Sequence, residues 1–140
     1  MKRTLSYALG LLGVLYVPTV GACGHCVEDK MAAVYDVAVI SKAQTLHQHV
    51  AFVAIEGLIK TDAKTRDAIA RTVRTAEGVD GASVRVSLDL AALSFAFDPK
   101  RASFASIHHV VGKQLSRVGL RISEIKILDG RDRVRRTADR

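Results

Sequence analysis

Two cysteines and a histidine within four residues, Cys23-Gly24-His25-Cys26, are the part of this 140-residue chain best equipped for chemistry. Thiols separated by two residues can close a disulfide, exchange one, or share a soft metal ion, and the spacing alone selects none of these. A helix is expected to begin near Glu28, just after the motif, and its N-terminal N–H groups would stabilise a thiolate and lower its pKa. If the chain is cut after Ala22, Cys23 becomes the first residue. The free amine, two backbone nitrogens and the His25 imidazole then offer a planar nitrogen set of the kind Cu(II) or Ni(II) favours, while Cys23 and Cys26 suit Cu(I).

Other polar residues offer less. His47 and His49 share a strand parity and form a candidate two-ligand patch, although polar residues where a strand begins need no function. In a helix expected after Pro99, His109 falls opposite the apolar stripe and His108 on its border, so both are expected to be solvated. Asp62 and Asp67 do not share a helix face well enough for paired acid–base work. Arg66, Arg71 and Arg74 are expected to solvate their helix. No nucleotide-binding loop, HExxH pair or serine elbow is present, and the support for an enzyme is thin.

The first 22 residues decide where such chemistry would take place. Lys2 and Arg3 precede an apolar run from Leu5 to Val17, and Pro18-Thr19-Val20-Gly21-Ala22 leads to a small-residue cleavage site, which reads as a secretory signal peptide. An uncleaved anchor is the alternative, but the run is short of the roughly 20 apolar residues a span needs. Val20-Gly21-Ala22-Cys23 also resembles a weak bacterial lipobox, which would place a lipid anchor on Cys23 and leave Cys26 as the one thiol. Removal of residues 1–22 takes away two positive charges and brings the net charge from +7 to +5. The expected product is small, basic and periplasmic or otherwise attached to the cell envelope, where a basic surface meets anionic lipid or acidic protein and not nucleic acid. Part of the charge is local: Arg131, Arg133, Arg135, Arg136 and Arg140 make residues 130–140 a basic, flexible tail.

With 49% hydrophobic and 25% charged residues, the remainder has enough apolar material for one folded domain and too little length for several. Val27, Met31, Val34, Tyr35, Ala38 and Val39 recur three and four apart, predicting one amphipathic helix from 28 to about 43. His49 to Ile55 is apolar on both parities after its first residue, as in a buried strand, and Gly57 ends it. A helix capped by Thr61 or Asp62 carries Ile69, Ala70, Val73 and Ala76 and stops at Gly78. Val84, Val86 and Leu88, then Leu93, Phe95 and Phe97, alternate as a hairpin with one wet face. Asp98-Pro99 is expected to cap a helix with the stripe Phe104, Ile107, Val111, Leu115 and Val118, closed by Gly119, before a last strand over 122–128. The order gives an α+β, ferredoxin-like βαββαβ domain over 46–129, preceded by the CGHC segment and an additional N-terminal helix over 23–45 that packs on a sheet edge or forms an interface.

Val79-Asp80-Gly81-Ala82-Ser83-Val84-Arg85-Val86-Ser87-Leu88, followed by Leu93-Ser94-Phe95-Ala96-Phe97-Asp98-Pro99, resembles the second and third strands of a heavy-metal-associated domain, and Ile107 to Gly119 resembles its second helix. The likeness covers roughly residues 49–128. It implies a ferredoxin-like fold and the binding of copper, zinc or related ions. Members hold the ion with a Cys-x-x-Cys pair in the loop after the first strand; here that loop is Gly57-Leu58-Ile59-Lys60-Thr61-Asp62-Ala63, with Lys60 and Ala63 near the cysteine positions, so no ligand carries over. The tetrapeptide Cys23-Gly24-His25-Cys26 also resembles the active site of protein disulfide isomerases, which there follows a strand of a thioredoxin fold.

The leading expectation is an exported protein that binds or passes on a soft metal, copper foremost, through Cys23, His25 and Cys26, with a metallochaperone as one kind of partner. The alternatives are a non-catalytic protein-interaction module of the envelope and a thiol–disulfide exchange protein. Phe95 and Phe97 are also compatible with an RNA-binding sheet, a reading that export and a core orientation of both rings disfavour.

Overall fold

The computed structural model describes residues 26–130. Four helices and a four-stranded antiparallel sheet form a mixed α+β fold, consistent with a general ferredoxin-like topology. The helices are α1 (Val27–Ala33), α2 (Val37–Thr45), α3 (Ala63–Arg74) and α4 (Phe104–Ser116). The strands are β1 (His49–Glu56), β2 (Arg85–Ser87), β3 (Ala92–Phe97) and β4 (Arg121–Leu128), in spatial order β2-β3-β1-β4.

β1 lies between two partners and its side chains split by parity. Ala51, Val53 and Ile55 join Leu93, Phe95 and Phe97 of β3 beneath Ile69 and Val73 of α3 and Ile107, Val111 and Leu115 of α4. Val50 and Phe52 point the other way, with Ala92 and Ala96, and meet Val34, Val39, Ile40 and Ala43. The leading helices therefore cover the second face of the sheet. They neither sit on its edge nor stand apart as an interface, and the β3 half of the hairpin has no wet face, because all six of its residues are buried, while β2 stays half-buried. Ser94, a polar residue on the expected wet face, is buried and donates from Oγ to the carbonyl of Val34 at 2.7 Å. A buried hydroxyl needs such a partner.

The single leading helix expected over 28–43 is two helices, and Asp36 makes the break. Its carboxylate accepts from the backbone N–H of Ala38 (2.9 Å) and Val39 (3.2 Å), capping α2. Its Oδ2 also accepts from Arg85 Nε (2.9 Å) and Nη2 (2.8 Å), which ties the start of α2 to β2. The change of helix axis alters the apolar phase, so that Val34, Val39, Ile40 and Ala43 are buried while Val27, Tyr35 and Val37 are exposed. A second ion pair, Lys42 Nζ to Asp80 Oδ2 at 2.7 Å, joins α2 to the short 3-10 turn Gly81–Ser83 before β2.

The covering helices on the first face start and stop largely where their sequence signals lie. Asp62 caps α3 by accepting from Thr65 N at 2.7 Å. Asp98-Pro99 does not open α4: Asp98 accepts from the N–H groups of Lys100, Arg101 and Ala102 in a separate turn, and Ser103 caps the helix by accepting from Ser106 N at 3.1 Å. Val118 lies past the end of α4 and is exposed, outside the stripe it was expected to complete. Gly57 ends β1 at φ +124, with the carbonyl oxygen of Gly119 only 2.6 Å from where a Cβ would stand, so a side chain there meets backbone.

The register of β4 against β1 shifts by one residue between Phe52 and Val53. In a regular strand Ile122 and Ile127, five apart, would face opposite ways; the extra residue lets both pack on the α3/α4 side while Ile125 and Leu128 pack on the α1/α2 side.

Two outcomes follow from the second layer. Ile40→Ala should destabilise the protein by about 2–5 kcal/mol, the usual range for a buried Ile cut to Ala, in a single urea transition monitored by far-UV circular dichroism. The pKa of Asp36 is lowered by the Val39 backbone N–H and by Arg85, and that of Asp80 by Lys42. A carboxylate with a depressed folded-state pKa stabilises fully above its unfolded pKa and loses that contribution as pH falls through the folded value. Asp36→Asn and Asp80→Asn should therefore lower the melting temperature at neutral pH, and the difference from the unaltered protein should close as the medium is taken below the aspartate range.

Candidate functional site

Of the three candidate ligands, Cys26 is described; Cys23 and His25 lie outside the described residues, as do residues 1–22, expected to be a signal peptide, and the basic arginines of the tail. Cys26 is the N-cap of α1, and its carbonyl accepts from the N–H groups of Asp29 (3.1 Å) and Lys30 (3.2 Å). Its side chain caps nothing. The exposed Sγ instead donates to Asp29 Oδ2 at 3.1 Å. α1 has no fully buried residue; Met31 packs half-buried against the second-face core, and the first fully buried side chain is Val34, eight residues beyond Cys26 and about 12 Å away along a helical path. The thiol is thus presented on a short arm at the outer end of the second helical layer.

The electrostatics of that thiol overturn the expected lowering of its pKa. The Asp29 backbone N–H does favour the thiolate, as a helix N-terminus should. Against it stand the hydrogen bond to the Asp29 carboxylate, slight desolvation, the Glu28 carboxylate and the charge of Asp29, and the pKa lies above its ordinary value. The two acids in the first turn of α1 suit the helix dipole and oppose a second negative charge beside them.

The remaining histidines are drawn into local structure. β1 begins at His49, so His47, at φ +54 in the preceding turn, does not share the strand parity on which the two-ligand patch was expected. His49 Nε2 lies 3.4 Å from Asp129 Oδ1, and its ring meets Phe97 edge-on at 5.5 Å. His108 is half-buried, not solvated: its Nε2–H donates to the Ile122 carbonyl at 3.0 Å, with Phe104 beside the ring. His109 is exposed. Among the described residues, no group of three or more His, Cys, Asp or Glu side chains could hold a metal ion.

The β1–α3 loop does not fit the metal site that the heavy-metal-associated resemblance implies. It contains no sulfur or imidazole, Leu58 is 99% exposed there, and Lys60 adds a positive charge. No step can be built through an ion in that loop. Nor do the acids form a catalytic pair: Asp62 is a helix cap, and Asp67 lies 4.0 Å from Arg66. Arg74, expected only to solvate α3, donates from Nε to the Gly81 carbonyl at 3.2 Å.

Asp36, Lys42, Asp80 and Arg85 position the leading arm and were not singled out by spacing. Asp36 carried a usable signal, an N-cap residue followed by the apolar Val37-Ala38-Val39-Ile40, inside a run that also satisfied helical periodicity. Among the described residues no helix is long and apolar enough to cross a membrane. No protein-family model matches the chain, and no curated protein matches it.

The Cys26 environment has a direct chemical consequence. In a Cys23→Ser background, iodoacetamide should alkylate Cys26 slowly at neutral pH. Asp29→Asn should accelerate the reaction several-fold and move its pH midpoint downward, since it replaces a carboxylate acceptor with a weaker neutral amide oxygen and removes the charge that opposes the thiolate.

Proposed function

We propose that this is an exported soft-metal-binding protein in which Cys23, His25 and Cys26 hold copper, presented by the α1 arm of a ferredoxin-like βαββαβ domain related to heavy-metal-associated domains. The observation that carries the reading is the exposed Cys26 thiol with Asp29 Oδ2 at 3.1 Å and Glu28 close by. Asp29 Oδ2, which already accepts from the thiol, is placed to take up the proton that a binding metal displaces; Cu(I) on both thiolates replaces two protons with one positive charge, so the acids serve as proton acceptors and do not themselves add to the affinity. The raised pKa also weakens the case for thiol–disulfide exchange, which runs through the thiolate. With both sheet faces covered, docking of a partner on an open sheet loses its basis as well.

The reaction is ligand exchange without electron transfer. Cu(I) enters as Cu(I), each ligating thiol gives up one proton, and affinity rises with pH. Native mass spectrometry of the host-processed protein, loaded anaerobically with Cu(I), should show one copper per chain. Cys23→Ala/Cys26→Ala should lose it, and His25→Ala should weaken retention against a competing chelator. Equal loading of the double cysteine variant, or a diacylglyceryl mass on Cys23 with no copper retained, would overturn the reading.

A further inference from the structure

The layer opposite the α1 arm carries an open groove between α3 and α4. Its lining includes buried Ile69, Leu115 and Leu120 together with exposed Leu58 and Val118, and it encloses about 340 Å³. Across Thr72, Gln114 and Val118 it continues into a second hollow of about 530 Å³, flanked by His109 and Val110. Leu58 is 99% exposed, Val118 70% and Val110 42%. These are three of the seven large apolar side chains that the described residues leave exposed, and they stand along one continuous depression. Clustering of that kind marks an interaction surface, whereas single exposed apolar residues do not.

The charge of the lining selects the occupant. Every charged residue lining either hollow is basic: Lys60 in the first, Lys113 and Arg117 in the second. The span from His109 to Val118 is about 14 Å at helical rise, between two and three turns of a helix laid along it. An acyl chain in so open a trough would stay largely in water, and Thr72 and Gln114 interrupt its apolar path. An amphipathic helix fits both properties, with one face for the apolar lining and flanks for the cations.

We propose that this groove docks an acidic amphipathic helix of a partner protein, its apolar residues three and four apart entering between Leu58 and Val118 and its Asp or Glu side chains meeting Lys60, Lys113 and Arg117. The arm bearing Cys26 lies on the other side of the sheet, so docking leaves the thiol accessible. The cations speed encounter and set orientation, and burial of Leu58 and Val118 supplies most of the affinity.

The experiment uses the host-processed protein and a phage-displayed library of 16-residue peptides, counter-selected on Leu58→Asp/Val118→Asp. Both positions are on the surface, and an unchanged melting temperature establishes that the variant is folded. The expected result is enrichment of sequences with apolar residues at i, i+3 or i+4 and i+7 flanked by Asp or Glu. Synthetic versions should bind by fluorescence anisotropy at least tenfold more weakly to Lys113→Glu/Arg117→Glu, and more weakly as salt is raised. No peptides surviving counter-selection, neutral or basic consensus sequences, or equal binding to the charge-reversed variant would overturn the proposal. So would tight binding to phosphatidylglycerol vesicles, lost in Leu58→Asp/Val118→Asp, with no peptide selected. Because neither variant touches Cys23, His25 or Cys26, the outcome is independent of copper loading.

Discussion

A strand that is apolar on both parities cannot leave either face to water, and β1 is such a strand. From Val50 to Ile55 every side chain is buried. Two helices crossing above it satisfy Ala51, Val53 and Ile55, but Val50 and Phe52 on the opposite side need a cover of their own. At roughly 1.5–3 kcal/mol for full burial of a side chain of this type, leaving both in water is a large loss for a domain stabilised by about 5–15 kcal/mol in all. The α1–α2 arm is therefore a required layer. Everything proposed for the cysteine segment depends on this, because the arm's attachment holds Cys26 at a fixed outpost of the domain.

Apolar cover gives proximity, and polar contacts give the arm its angle. Asp36 ends one helix direction and starts another, caps α2 with two backbone N–H groups and accepts the Arg85 fork on a single oxygen. Arg85 in turn donates to the carbonyls of Ala82 and Val84, so the same guanidinium steadies the approach to β2. Ser83 extends the set inward, donating to the Asp80 carbonyl and accepting from Ala96 N. These contacts link the second layer to the three-residue strand β2, which has little ladder of its own.

The helices and strands were mostly legible because their signals are local: Asp62 before a helix, Gly57, Gly78 and Gly119 after elements, alternation from Val84 and again from Leu93. Misreadings came where two local signals coincided or where tertiary burial outweighed the pattern. Val34-Tyr35-Asp36 continues a helical period and also contains a cap, and the cap prevails because Arg85, 49 residues away, binds it. Ser94 marks a wet face by composition, yet a carbonyl 60 residues earlier makes its burial acceptable. The clue was already in β1: an apolar run on both parities is inconsistent with a sheet covered on one side. For the site, the chemistry of Cys26 was visible and its charge environment was not. Glu28 and Asp29 read as good first-turn residues, and their effect on the thiol emerges only when the Asp29 carboxylate turns back toward Sγ.

The extra residue in β4 matters beyond its packing. Among the described residues β4 lies at one end of the sheet and β2 at the other, so the outer ladder groups of these two strands have no strand beside them there. Such edges invite pairing with another chain. β2 offers only three residues. β4 is eight residues long, but its register slip interrupts the regular spacing of donors and acceptors, and Arg121, Glu124 and Lys126 line it with charge of both signs. The irregularity that turns two isoleucines to the same side also spoils the long edge as a template, which helps a protein with so apolar a central strand stay apart from its own copies while it folds.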